Sequence, residues 1–243
     1  MMLRFVLFTL FAGYALAAVP SYMKVCGRRN PKMDECVVNS AESLKEMLGK
    51  GIKELDVPPL EPLLLAIIKL ADDNSLRAIA TNVKLYNLSN FKCNFLHVDL
   101  EKHTIDMQLT FPQIKLEAEY NVTTRIVNVP INGIGPMKII TDAVGAKVNM
   151  KFRLVQHKGA EYLIFSSMTT NLDIKDYTSH FTPREGPDGA LAEGINAALQ
   201  DNRQEIIATI KPNLEQVISE RVLQLANRIC KHFTFDELFP DRE

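Results

Sequence analysis

A chain of 243 residues, 47% hydrophobic and 23% charged, has enough apolar material for one large domain, and its formal net charge is only −1. Such a balance argues against nucleic acid, where affinity comes from Lys and Arg neutralising phosphates. It also argues against stable association with anionic membranes. The expected partner is a neutral or apolar molecule or another protein, with the chain itself a monomer.

Met1 to Arg4 supply one positive charge, Phe5 to Leu16 form a short apolar run, and Ala15-Leu16-Ala17 gives a small-x-small cleavage pattern. That order is a secretory signal peptide over residues 1–17, and the run is too short to span a bilayer. Cleavage would leave residues 18–243 as a single secreted domain, with 27 basic against 29 acidic residues and a net charge of −2. No later segment is apolar enough to cross a membrane; Leu63 to Leu70 is broken at Lys69 and closes on Asp72-Asp73.

Four cysteines follow, Cys26, Cys36, Cys93 and Cys230. An even count in a secreted chain suggests disulfides, with three pairings open. Cys26 and Cys36 lie close together in a polar segment without hydrophobic periodicity, and their pairing is expected. Cys93 and Cys230 either pair or stay free. Zinc is disfavoured for want of a second close Cys/His pair.

An amphipathic helix is expected from Asn39 to Leu55, with Asn39 and Glu42 as a capping box, Leu44, Met47, Leu48, Ile52 and Leu55 on one face, and Pro58-Pro59 ending it. From about Leu63 to Tyr177 the period changes from 3.6 to 2. Leu96, Val98 and Leu100 alternate with polar residues, as do Ile105 to Phe111, Ile114 to Val122 and Val148 to Leu154. Such alternation marks an antiparallel sheet with one buried face. The turns are short, as at Glu101-Lys102-His103 and His157-Lys158-Gly159, and without crossover helices a doubly wound α/β fold is excluded. Asn87-Leu88-Ser89 and Asn121-Val122-Thr123 are acceptor sequences for N-linked glycans. The helical period returns from Gly189 to about Phe233, with Pro212 expected to kink or split it. An apolar stripe that long needs an equally long partner. The α+β solution is a strongly curved antiparallel sheet wrapped around the long carboxyl-terminal helix.

Signs of catalysis are thin. The chain has no Gly-x-Ser-x-Gly elbow, His-Glu-x-x-His or P-loop. Gly133-Ile134-Gly135-Pro136 lacks the helix that a phosphate loop requires. His97, His103, His157, His180 and His232 have no metal-ligand spacing and read as surface residues. A non-enzymatic chain without metal or cofactor is expected.

Several segments resemble the insect takeout and juvenile hormone-binding protein family. They are Cys26-Gly27-Arg28-Arg29 to Glu35-Cys36-Val37, then Leu55-Asp56-Val57-Pro58-Pro59-Leu60-Glu61-Pro62-Leu63. Phe111-Pro112-Gln113-Ile114 leads on to Tyr120, Val129 to Gly135 follow, and the chain ends on Phe235-Asp236-Glu237-Leu238-Phe239-Pro240. Glu119 stands where a Gly commonly precedes the Tyr, and Gln200-Asp201-Asn202-Arg203 lacks a common aromatic. The resemblance implies a tubular fold with an internal apolar tunnel carrying juvenile hormone, a fatty acid or a similar lipid.

A ligand in such a roll must touch the long helix. The expected lining is Ile206, Ile210, Leu214, Val217 and Ile218, with Phe111, Tyr120, Phe152 and Phe165 opposite. Two other readings remain: a secreted signalling or interaction module with a solid core, and a lipid-ester hydrolase.

Overall fold

The computed structural model describes residues 19–72, 76–126, 129–182, 193, 196, 197 and 199–243. The expected signal peptide lies outside these residues, as do Leu191, Ile195 and Ala198 at the start of the last helical pattern.

The two-residue period becomes nine antiparallel strands among the described residues: β1 (Leu63–Asp72), β2 (Leu76–Tyr86), β3 (Lys92–Asp99), β4 (Thr104–Phe111), β5 (Lys115–Ile126), β6 (Val129–Thr141), β7 (Val144–His157), β8 (Ala160–Ile174) and β9 (Tyr177–Phe181). They pair in the orders β1-β2-β5-β6-β9 and β3-β4-β7-β8. These two sets are halves of one sheet bent at a corner. Strand β4 passes into β5 through residues 112–114, β6 into β7 through 142–143, and β8 into β9 through 175–176. The three links lie side by side, since Thr141 N donates to Ile114 O at 2.9 Å and Asp142 N to Asp176 O at 3.1 Å. Register shifts in β1, β2, β3 and β8 add local twist and bend.

Strand β7 follows its sequence pattern: Val144, Ala146, Val148, Met150 and Phe152 are buried, while Lys147, Lys151 and Arg153 are exposed. Its neighbour β8 changes phase. Leu163 and Phe165 face inward before the register shift opposite Lys151 and Phe152, and Thr170 and Leu172 after it. The β7–β8 turn has positive φ at Lys158 and Gly159 (51° and 83°), the geometry that matches hairpin twist.

The first helix, α1, runs Met33–Lys50 and so begins six residues before the expected Asn39 start. Asn39 lies inside it and caps nothing. The real start is set by tertiary anchors. Asn30 Oδ1 accepts from Lys32 N at 2.9 Å in a local turn, Asp34 and Glu35 occupy the first turn, and the Cys26–Cys36 disulfide ties down Cys36. The helix stops at Gly51, whose φ is 84°; a Cβ there would also meet Pro59 N at 2.8 Å. Ile52 and Leu55, expected on the helix, instead bracket a separate 3-10 turn over Lys53–Leu55.

The long helix α2 is Arg203–Cys230, 28 residues or about 42 Å. It runs through Pro212 without being split. The lost backbone bond costs roughly 3 kcal/mol, and polar anchors on both sides of the proline hold the helix in place.

Those anchors explain how the sheet is closed. Every edge strand presents unpaired backbone groups, a liability unless covered. On the β8 edge, the Asn227 amide donates to Phe165 O (2.9 Å) and accepts from Phe165 N (2.8 Å), and Glu215 accepts from Leu172 N (2.7 Å). On β1, Asn213 Nδ2 donates to Leu70 O at 2.8 Å. On β9, Asn196 pairs with both backbone groups of Phe181 at 2.9 Å, and Gln200 donates to Ser179 O at 3.2 Å. On β3, Asp34 of α1 accepts from Val98 N at 2.9 Å. Helical side chains thus meet backbone groups on each of the four edge strands.

The carboxyl terminus closes one end. A short helix α3 (Phe235–Leu238) is opened by a Thr234/Glu237 capping box. Arg28 in the disulfide loop ion-pairs with Asp236, donates to Phe239 O at 2.9 Å and lies 5.0 Å over the Phe235 ring.

Candidate functional site

The inward faces of the bent sheet form two apolar clusters, and α2 lies between them. The first, on β3-β4-β7-β8, contains Val148, Met150, Phe152, Leu163 and Phe165, with Leu214 and Ile218 of α2 packed on it. The second, on β1-β2-β5-β6, contains Ile68, Ala80, Val83, Ala118, Tyr120 and Met137, with Val217 of α2 and Phe181 of β9 against it. The turn of α2 from Leu214 to Ile218 therefore touches both walls.

Of the expected lining residues, Phe111, Phe152, Phe165 and Leu214 meet in the first cluster, and Tyr120 and Val217 in the second. Ile206 and Ile210 are half-buried and join neither cluster; the buried residue of their turn is Ile207. Ile207 lies seven residues before Leu214, two full turns, and that spacing was the available signal. Phe181 was missed because it does not lie in a long run of alternation.

Ring geometry organises both walls. Phe152 and Phe165 meet edge to face at 6.2 Å, and His103 lies 5.0 Å from Phe152. Phe111 touches Phe91 at 6.4 Å. In the second cluster Tyr120 meets Phe181 edge to face at 5.1 Å. Gly133 on β6 leaves room for the Tyr120 ring: a Cβ there would stand 3.0 Å from Tyr120 Cε2.

Tyr120 is the distinctive polar group here. Only 6% of it is exposed, no described residue hydrogen-bonds its hydroxyl, and burial raises its pKa above the ordinary tyrosine value. The ring is buried while the hydroxyl oxygen keeps access to solvent, where water or a ligand atom can meet it.

A groove of about 430 Å³ runs between β8 and α2, lined by residues 166–170 together with Glu215, Gln216, Ser219, Glu220 and Leu223. Its polar groups are engaged: Ser219 Oγ lies 2.8 Å from Thr170 Oγ1, and Glu215 holds Leu172 N and ion-pairs with Lys211. This groove is an open seam between helix and strand.

The expected Cys26–Cys36 disulfide is present. Cys93 and Cys230 are both free and pack against the first cluster. Burial pushes the Cys230 thiol up to about 12 and raises Cys93, which keeps both protonated and unreactive near neutral pH. Among the described residues no group of three His, Cys, Asp or Glu is placed to hold a metal ion, and no helix is long and apolar enough to cross a membrane.

Comparison with known proteins agrees with this architecture. Residues 5–240 match the sequence model of the family described as haemolymph juvenile hormone binding protein. The chain is 24% identical over 231 residues to a putative beta-carotene-binding protein of Schistocerca gregaria, covering 88% of this chain and 86% of that protein. It is 22% identical over 234 residues to the circadian clock-controlled protein daywake of Drosophila yakuba, covering 90% and 88% respectively. Among solved structures it resembles the crystal structure of Takeout 1 from Epiphyas postvittana, with a TM-score of 0.76 at 16% identity over 89% of this chain and 99% of that one. That likeness establishes the shared fold: a long carboxyl-terminal helix packed on a curved antiparallel sheet.

Proposed function

The chain belongs to the haemolymph juvenile hormone binding protein family, and from that premise we propose that it is a secreted, non-enzymatic carrier enclosing one small apolar ligand beside α2. The observation that carries this reading is the Tyr120 hydroxyl, which no described residue hydrogen-bonds, at the end of a buried ring in an otherwise apolar wall. The ligand lies between the two clusters, against Leu214, Val217 and Ile218, with Tyr120, Phe152 and Phe165 facing it. It is juvenile hormone, a fatty acid or a similar lipid. The description of the Schistocerca relative as a putative beta-carotene-binding protein fits the same apolar class.

A ligand of about fifteen carbons gains roughly 12 kcal/mol from burial. Association and ordering remove several kcal/mol, which leaves micromolar or tighter affinity without any ion pair. Tyr120 then donates a hydrogen bond to a carbonyl, epoxide or carboxyl oxygen and sets the ligand's orientation.

Uptake of a fluorescent fatty acid tests this reading when measured beside thermal stability. Val217→Trp should abolish uptake with the melting temperature retained, because the indole fills ligand space. Parallel loss of both would make Val217 a packing residue and remove α2 from the site. A secreted interaction module with a solid interior is the other reading. The observation in its favour is the exposure of Leu64 (66%) and Ile67 (46%) on β1.

A further inference from the structure

The two glycan acceptor sequences occupy different environments. Asn87 has a left-handed φ of 67° and leads into a 3-10 turn over Leu88–Asn90. The Glu61 carboxylate accepts from Asn87 N at 2.7 Å, Ser89 N at 2.7 Å and Ser89 Oγ at 2.9 Å. Asn87 is half-buried, and the hydroxyl of its acceptor sequence is already committed to Glu61. A sugar there must be accommodated around a turn whose backbone and side chain are both held.

Asn121 lies in β5, an inner strand between β2 and β6, and is exposed together with Thr123. Its cross-strand partners are Ile79 on β2 and Ile134 on β6. Directly opposed residues place their Cβ atoms about 5 Å apart, so an isoleucine flanks the Asn121 side chain on each side. Ile134 is 49% exposed. A β-branched aliphatic side chain left open in mid-sheet is apolar surface in water, and covering it is favourable. The first sugar of an N-linked glycan carries a C–H ring face and an acetyl methyl, which suit an aliphatic neighbour at that distance.

We propose that Asn121 carries an N-linked glycan whose first sugar lies over Ile134 and Ile79 on the outer face of β2-β5-β6, while Asn87 stays unmodified. The glycan then keeps that face of the carrier from adhering to other apolar surfaces. This inference rests on the secreted reading above, since the modification belongs to the secretory route.

The test is expression of the full chain in insect cells, with glycopeptide mass spectrometry of the protein recovered from the medium. Sugar is expected on the Asn121 peptide and none on the Asn87 peptide. Asn121→Gln should lengthen retention on a hydrophobic-interaction column, and adding Ile134→Ser should return it to the glycosylated value. Secreted protein bare at Asn121, sugar on Asn87, or unchanged retention of N121Q each overturns this proposal while leaving the carrier reading intact. Protein retained in the cells without sugar overturns the secreted reading and this proposal together.

Discussion

Asn227→Ala removes the one side chain that satisfies both backbone groups of Phe165 on the β8 edge, at 2.8 and 2.9 Å. A buried donor or acceptor left without a partner costs about 1–3 kcal/mol. Both groups here are only partly buried, so water replaces some of the loss, and about 2–4 kcal/mol in total is expected. For a chain of this length 1 kcal/mol shifts Tm by roughly 2–4 °C, which puts the variant about 4–16 °C below the parent. Asn227→Asp is the informative control, because a carboxylate of the same size accepts from Phe165 N but cannot donate to Phe165 O. It should be no more stable than the alanine variant. Thermal unfolding gives the Tm, and amide hydrogen exchange at Phe165 should rise in both variants. If N227D matched the parent, or if N227A shifted Tm by under about 2 °C with unchanged exchange, the edge-completion account of α2 would be wrong.

Three further outcomes follow from the same geometry. Tyr120→Phe should leave Tm unchanged, because its hydroxyl bonds to no described residue, and weaken an oxygen-bearing ligand by about 1 kcal/mol, roughly five-fold; a pure hydrocarbon ligand should bind equally well to both, as read by fluorescence competition. The hydrogen bond from His97 to Asp34 raises the His97 pKa above the usual histidine value, so its contribution to stability is fully present below about pH 6.5 and lost as pH rises through the raised value. In urea unfolding His97→Gln should therefore cost stability at pH 5 and little at pH 9, and a pH-independent difference would refute the pairing. Replacing Cys26 and Cys36 by serine opens an 11-residue loop (sequence separation 10), which the chain-entropy model values at about 2.8 kcal/mol; hydrogen exchange should also rise across residues 235–242, which that loop holds through Arg28 and Arg29.

Much of this architecture is legible in the sequence where one rule governs a whole element. Strand β7 alternates without interruption because one face is core and the other solvent, and the Cys26–Cys36 bridge follows from the closeness of the two cysteines in a polar segment. The failures lie where tertiary contacts override local pattern. The α1 start is fixed by a disulfide and by Asp34 reaching Val98, so the apparent cap at Asn39 has no role. Pro212 does not split α2 because Asn213 and Glu215 fasten the next turn to two different strands. The bulge that changes the phase of β8 leaves no residue signature, since Ser166 and Ser167 suit either face. Edge completion by Asn196, Asn213 and Asn227 is invisible from spacing alone, because polar residues on an amphipathic helix read as a solvated face. The inward stripe of α2 was legible in its middle, where Leu214 and Ile218 pack on the first cluster and Val217 on the second. At the start of α2 adjacent isoleucines leave the helix phase open, and burial selects Ile207 over Ile206 for the core.

The central claim is that a small apolar molecule occupies the space beside α2, and the direct measurement is organic extraction of the purified protein followed by mass spectrometry. The account predicts a lipid-like molecule recovered in near-stoichiometric amount from the parent and depleted from Val217→Trp. Repeated recovery of no such molecule, together with no uptake of a fluorescent fatty acid by the extracted protein, would contradict it.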